Sequence, residues 1–436
     1  MKTLVLVILL LGSIPTLAQI EFTSLQEVLT YADLRAVNIR SSLIGEQIAQ
    51  TERKEAISNL IPSVGASLGY NDNITLQPTL VPAQLFNPSA PEGSFDELTF
   101  GTKYVYSFGV QAQWDLLNFQ KWFALQVANV EVETSKINSE VSRFQIYNQL
   151  ASLYYSILLT QESITIYEEN LRVSESILSS TNEKYQNGTI NEAELNLAKI
   201  RKLQNQRNLS LAKGNLDQFY LQLQSQLNTS ETITIADSPD RFMLKSTQIV
   251  SLHPEIALQE SEMQKYQILL KQTKALRYPS LSLFYQNNTN WATDNFLDFE
   301  NSNTLPQQIF GVNISVSGLL SGTIQQKINQ TEQRIQLQQL QLENTRLVKQ
   351  LDDELLQIEL QNAADQLREY EQILDLQTQN DAHAANRYES GLISLDQRLD
   401  QYDDLLSTQN SYLQSLAEYT LTRYKIYIRQ MDFKTK

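Results

Sequence analysis

TIQQKINQTEQRIQLQQLQLENTRLVKQLDDELLQIELQNAADQLREYEQILDLQTQNDAHAANRYES, residues 323–390, contains no glycine and no proline and stops just before Gly391. A helix over this stretch would be about 100 Å long, at about 1.5 Å per residue. Its apolar positions alternate spacings of four and three through Leu356, Leu360, Ala363, Leu367, Tyr370 and Leu374, the mark of a coiled-coil seam. An earlier stretch, 119–187, has the same length to within one residue and is equally free of glycine and proline. In it Leu150, Ile157, Ile164, Leu171, Leu178 and Tyr185 fall seven apart. It ends at Tyr185-Gln186-Asn187-Gly188, and the later one at Tyr388-Glu389-Ser390-Gly391. Two long helices with matching ends describe a duplication, and the rest of the chain is what each helix is attached to.

A chain of 436 residues has room for about three ordinary domains. Glycine and proline, scarce outside a few short windows, argue against such a partition. The net charge of −15 makes nucleic acid a poor partner. The absence of cysteine removes disulfides, thiolate metal sites, cysteine nucleophiles and a lipid anchor on an N-terminal cysteine. Residues 1–18 read as a signal peptide, with Lys2, an apolar core from Leu4 to Leu11, and Thr16-Leu17-Ala18 before a cut at Gln19. That core is shorter than the roughly 20 apolar residues a spanning helix needs, and no later segment qualifies. An exported chain of this kind crosses a membrane with strands or not at all.

The apolar spacing from Ser24 to Leu60 predicts a helix that Ile61-Pro62 ends. Val64, Ala66, Leu68 and Tyr70 then alternate with Gly65, Ser67, Gly69 and Asn71, a strand over about 63–72. The four prolines between Asn71 and Lys103 predict a long exposed loop. A second strand, about 105–115, sets Phe108, Val110, Ala112 and Trp114 opposite Ser107, Gly109, Gln111 and Gln113. The long helix follows, and after Gly188 a return helix runs from about Asn191 to Leu227. Residues 229–246 form the connector between a first repeat, 19–228, and a second, 247–436. In the second, a helix around Thr247–Leu276 ends at Tyr278-Pro279, and strands are expected at about 280–287 and 308–317. Between them lies a loop holding Trp291, Phe296 and Pro306. Aligning the two repeats requires one extra residue in the second, a bulge near Gly318. The long helix then runs to Gly391, and a last helix to about Arg429. The order helix, strand, strand, long helix, helix is written twice.

Strands of about ten residues suit a tilted crossing of the hydrocarbon layer. Their polar face is Gly, Ser, Asn and Gln instead of Lys and Glu, and aromatics gather at the strand ends (Tyr104, Tyr106, Trp114, Phe119, Trp122). A soluble sheet packed on helices has the same period of two and stands as the alternative. Four strands cannot close a barrel, which begins at about eight, so a barrel requires several chains. The long helices exceed a bilayer about 30 Å thick and would project into water. Their glutamine-rich surface between Gln325 and Gln361 lines an aqueous duct or is simply a solvated coiled-coil face.

The duplicated order, the Ile-Pro or Tyr-Pro step into a strand, the Leu-Leu step at 116–117 and 319–320, and the paired Tyr-x-x-Gly turns resemble the outer membrane efflux protein family, the TolC-like exit ducts. The resemblance covers essentially all of the chain from Ile20 to Met431. It implies a mainly α fold with a transmembrane β contribution: a homotrimer whose chains pool four strands each into a twelve-stranded barrel continuous with a long periplasmic coiled-coil tunnel. It further implies contact with outer membrane lipid, a periplasmic adaptor and an inner-membrane RND or ABC transporter, no cofactor and no catalytic site, and passive export of small molecules. Type I protein secretion through the same architecture is the nearer alternative. An extracellular coiled-coil adhesive or structural protein is the more distant one.

The family's entrance lies at the Tyr-x-x-Gly ends, where acidic residues ring the pore. Asp400 falls nine residues after Gly391, where the family carries such a residue, while the position six after it is Gln397. Asp396, Asp403 and Asp404 lie nearby and stand as further gate candidates. Asp396, Asp400 and Asp404 are successive i, i+4 neighbours whose like charges repel by a few tenths of a kcal/mol. Only Asp396 sits in a first helical turn, where acids are favoured. A solvated acidic face is the alternative to a ring. Tyr185 and Tyr388 close their hairpins by packing, or contact an adaptor. Gly188 and Gly391 supply left-handed helix endings that shape the same tip. With His253 and His383 the only histidines, a metal site has little to build on.

Overall fold

The computed structural model describes residues 19–237, 252–316 and 322–433. In chain order the strands and helices are β1 (Gln19–Phe22), α1 (Leu25–Arg35), α2 (Val37–Ser58), β2 (Ser63–Asp72), β3 (Pro78–Pro82), β4 (Phe95–Thr99), β5 (Tyr104–Leu117), α3 (Phe119–Gln186) and α4 (Glu192–Leu227). They continue as β6 (Thr232–Ile235), α5 (Pro254–Lys274), β7 (Ser280–Thr293), β8 (Asn303–Ser315), α6 (Gly322–Glu389) and α7 (Leu395–Arg429). The long helices α3 and α6 have 68 residues each. The expected order recurs in both halves. Residues 1–18 and Gly318, which the sequence marks as signal peptide and bulge, lie outside the described residues, as does 238–246 of the connector.

The chain forms two compact units, each drawing on both repeats. One comprises the described residues of 1–46, 135–260 and 341–436. Its core gathers Val28 and Leu29 of α1, Leu150, Tyr154 and Ile157 of α3, Leu223 and Leu227 of α4, and Tyr424 and Ile428 of α7. Thus the seven-residue seam of α3 is fully buried at Leu150 and Ile157 and half-buried or exposed towards Tyr185. Against this core lies a two-stranded parallel sheet, β1 with β6, pairing Ile20 with Ile233 and Phe22 with Ile235. Thr232–Ile235 is a strand because Ile233 and Ile235 alternate inward while the backbone ladder to β1 satisfies their polar groups.

The other unit, 47–134 with 261–340, holds a four-stranded antiparallel sheet in the order β2-β5-β7-β8. The strand positions follow the alternation, with three corrections. β7 and β8 are longer than expected, so Trp291 and Pro306 stand inside strands. Pro306 is accommodated because β8 is an edge strand of this sheet, where a missing donor is tolerated. The loop between Asn71 and Lys103 contains a hairpin, β3 with β4; its prolines Pro78 and Pro82 end the strand instead of breaking it. And α1 and α2 divide the predicted first helix at Ala36, whose ψ of 125° is extended. In the ladder, the register shifts in β5 between Asp115 and Leu117.

Candidate functional site: helix tips and strand faces

Both long helices end in the same motif. Thr189 N–H donates to Lys184 O (3.0 Å) and Gly188 N–H to Tyr185 O (3.0 Å); Leu392 N–H donates to Arg387 O (2.8 Å) and Gly391 N–H to Tyr388 O (3.1 Å). This six-to-one plus five-to-two pattern needs a left-handed residue, and Gly188 and Gly391 supply it with φ of 71° and 74°. Three residues on, Asn191 and Ser394 cap the return helices. Gln397, at one of the positions where a ring residue was sought, completes a capping box with Ser394. The two tyrosines differ. Tyr388 is 5% exposed and its ring lies under the Lys184 ammonium at 3.5 Å, which also donates to Tyr388 O (3.0 Å). Tyr185, at the equivalent position, is 39% exposed.

On α7, Leu395, Arg398, Leu399, Tyr402 and Leu405 face inward. Asp396, Asp400 and Asp404 face out. Asp400 borders an open hollow with His383, Arg387 and Gln397. Asp403 is half-buried and ion-paired with Arg201 of α4. Burial pushes its carboxyl up, Arg201 pulls it back, and Asp400 and Asp404 add to the rise. The structure therefore brings three acids to the surface of one helix and engages the fourth within the chain.

Several tip residues escaped the sequence reading. Arg398, 3% exposed, holds Asp381 of α6 through two bonds, 2.5 and 3.1 Å, and lies 5.6 Å from the Tyr402 ring centroid. Tyr402 donates to Asn170 O (2.8 Å) and accepts from the Asn205 amide (3.0 Å), tying α7 to α3 and α4. A signal existed: Arg398 stands three residues after Leu395 on the apolar face, a charge where the period demands a hydrophobe. Among the described residues no cluster of His, Asp and Glu could hold a metal ion.

The sheet has two unlike faces. One carries Val64, Leu68, Phe108, Val110, Trp114 and, on the later strands, Leu283, Phe310, Val312 and Ile314. These side chains are exposed on an unusual scale: Leu68 is 86% and Phe310 70% open. The other face is mostly Gly, Ser, Asn and Gln, interrupted by Val105, Phe284, Leu305 and Ile309. Among the described residues, both outer strands, β2 and β8, leave one backbone edge without a partner strand.

The sequence model of the outer membrane efflux proteins matches residues 29–229, the first repeat. This part of the chain is similar to the outer membrane efflux protein family. Solved structures of similar fold include the outer membrane protein VceC from Vibrio cholerae, at 15% identity, a TM-score of 0.74, and 94% of this chain against 96% of that one. The CmeC outer membrane channel of Campylobacter jejuni is 17% identical with a TM-score of 0.71, covering 93% and 85%. The Neisseria gonorrhoeae MtrE outer membrane channel, solved in its open state, is 15% identical with a TM-score of 0.65, covering 93% and 88%. No curated protein matches the sequence closely.

Proposed function

We propose that three copies of the chain form a passive exit duct, with four strands from each closing a twelve-stranded barrel and the helices forming a periplasmic tunnel. It delivers small molecules handed on by a periplasmic adaptor and an inner-membrane RND or ABC transporter. The observation that carries this reading is the four-stranded sheet with two open edges and an exposed apolar face. Unpaired backbone groups in hydrocarbon cost several kcal/mol each. β2 of one copy meeting β8 of the next removes that cost.

In this duct Asp400, Asp396 and Asp404 form the acidic gate, with Asp403 braced by Arg201 beside them. Tyr185 and the Gly188 and Gly391 turns meet the adaptor, while buried Tyr388 holds the shape of the tip. Single-channel recording of detergent-purified protein in a planar bilayer, with oligomer mass measured in parallel, tests the reading. A trimer with small, cation-preferring conductance is expected. A water-soluble species that never inserts overturns it. Asp400→Ala is expected to raise conductance or lower cation preference; if both stay at the wild-type value, Asp400 is not part of the gate.

A further inference from the structure

The carboxamide-bearing face of the sheet, which also holds Val105, Phe284, Leu305 and Ile309, has a property of its own. Strand registers align Ser63, Gln113, Phe284 and Gly311 in one row and Asn71, Val105, Ala292 and Asn303 in another. From the first of these rows to the second, no position on this face is Asp, Glu, Lys or Arg. What recurs is the carboxamide: Gln111, Gln113, Gln286, Asn288, Asn290 and Gln307. The nearest charge beyond the first row is Asp115, and Lys121 neutralises it at 2.7 Å. The chain as a whole carries −15, so a neutral wall is not a consequence of composition.

The wall is also flattened. The side chain of Asn288 lies across Gly109, and the ring of Phe284 lies across Gly311, each so close that a Cβ on the glycine would collide with it. Carboxamide and ring are thus laid along the sheet instead of standing off it. A carboxamide offers a donor and an acceptor at once, so it exchanges hydrogen bonds with either kind of solute group and repels neither sign of charge. In a barrel the residues on the inner face set which ions and solutes pass readily.

Resting on the duct reading above, we infer that the membrane part of the pore is a charge-free, carboxamide-lined wall fitted to neutral and zwitterionic hydrogen-bonding solutes. Discrimination by charge is then left to the acidic helix tips. The arrangement exposes cargo to one electrostatic filter and not two.

The test is the reversal potential of the full-length protein in a bilayer under a KCl gradient. Wild type is compared with Gln286→Glu, Gln286→Lys, and an Asp396→Asn/Asp400→Asn/Asp404→Asn variant. The two Gln286 variants are expected to move the cation-to-anion permeability ratio in opposite directions by roughly two-fold or more, because no wall charge masks the new one. The variant with the neutralised tip is expected to fall to within about two-fold of no preference. Cation preference that survives in that variant, or a ratio that neither Gln286 variant moves, overturns the inference. Channels that conduct but behave so leave the duct standing; protein that never conducts removes the duct itself.

Discussion

Arg398 and His253 are each buried in the helical unit, and each makes a measurable demand on it. Arg398 is stabilised inside by the Asp381 carboxylate, so truncating it strands a negative charge. Arg398→Ala is expected to destabilise by about 3 kcal/mol, and Arg398→Met with Asp381→Leu to recover most of that, read from denaturant unfolding of the detergent-solubilised protein. If the single variant unfolds like wild type, the pair is not a brace. His253 caps the start of α5, accepting from Glu255 N–H at Nδ1 (3.2 Å). Burial, then the Arg429 and Lys349 cations, push it from 6.5 down to about 4, against Glu255 and Asp353, which pull upward. Between those two values the unfolded chain binds a proton that the folded chain refuses. Its contribution is therefore complete above pH 6.5 and lost as the pH falls towards 4. His253→Asn keeps a capping acceptor but cannot titrate, so the stability gap between it and wild type should change across that window and be constant above it. A gap that does not change with pH removes the histidine from the balance. At this scale the sequence was half legible. The tip glycines are marked by their spacing, whereas the partners of Arg398, Lys184 and Tyr402 come from other helices, and no local pattern joins residues so far apart.

Elements were easier to read than contacts, because helix and strand periods are local and the turns carry their own chemistry. The two 68-residue helices, both return helices and strands β2 and β5 stand close to where the patterns put them, while β7 and β8 overlap the expected strands and extend into the expected loop. What misled was proline. Four prolines made 71–103 a loop, yet Pro78 and Pro82 only bound a strand, and Pro306 sits within β8. A proline removes one donor, and a strand edge can spare it. Two glycines show how the same residue acts oppositely by position. At the α6 end Gly391 has φ of 74°, where a side chain is strained, so Gly391→Ala is expected to cost about 1–2 kcal/mol. Within α4 an added Cβ at Gly214 meets nothing within 4 Å, so Gly214→Ala is expected to stabilise by about 1 kcal/mol. Thermal unfolding of both variants checks the pair; equal shifts in one direction would contradict the backbone account.

For the assembled molecule, the apolar face of the sheet sets a geometric condition. Leu68 of β2 lies in one ladder row with Phe108, Thr289 and Pro306, so the row that is apolar on β2 and β5 is not so on β7 and β8. On β8 the apolar run Phe310, Val312 and Ile314 starts four residues further along than Pro306. Such a diagonal has a physical source. Strands about 4.8 Å apart and tilted about 40° require a level lipid band to slip by about 12 Å over three strands, between three and four residues. A flat soluble sheet has no reason for that slip, and a tilted barrel wall requires it. The two faces should then respond unequally to charge. In the proposed trimeric barrel, Phe310→Arg would place a guanidinium in hydrocarbon, at about 2–4 kcal/mol for each copy, and should abolish trimer formation and recovery from outer membranes. Asn290→Arg places it on the opposite, carboxamide face, where water is at hand, and should assemble like wild type with altered conductance. Mass measurement in detergent separates the two. The reverse outcome, with Asn290→Arg blocking assembly and Phe310→Arg tolerated, would turn the sheet inside out and place the carboxamides against another protein surface instead of a pore.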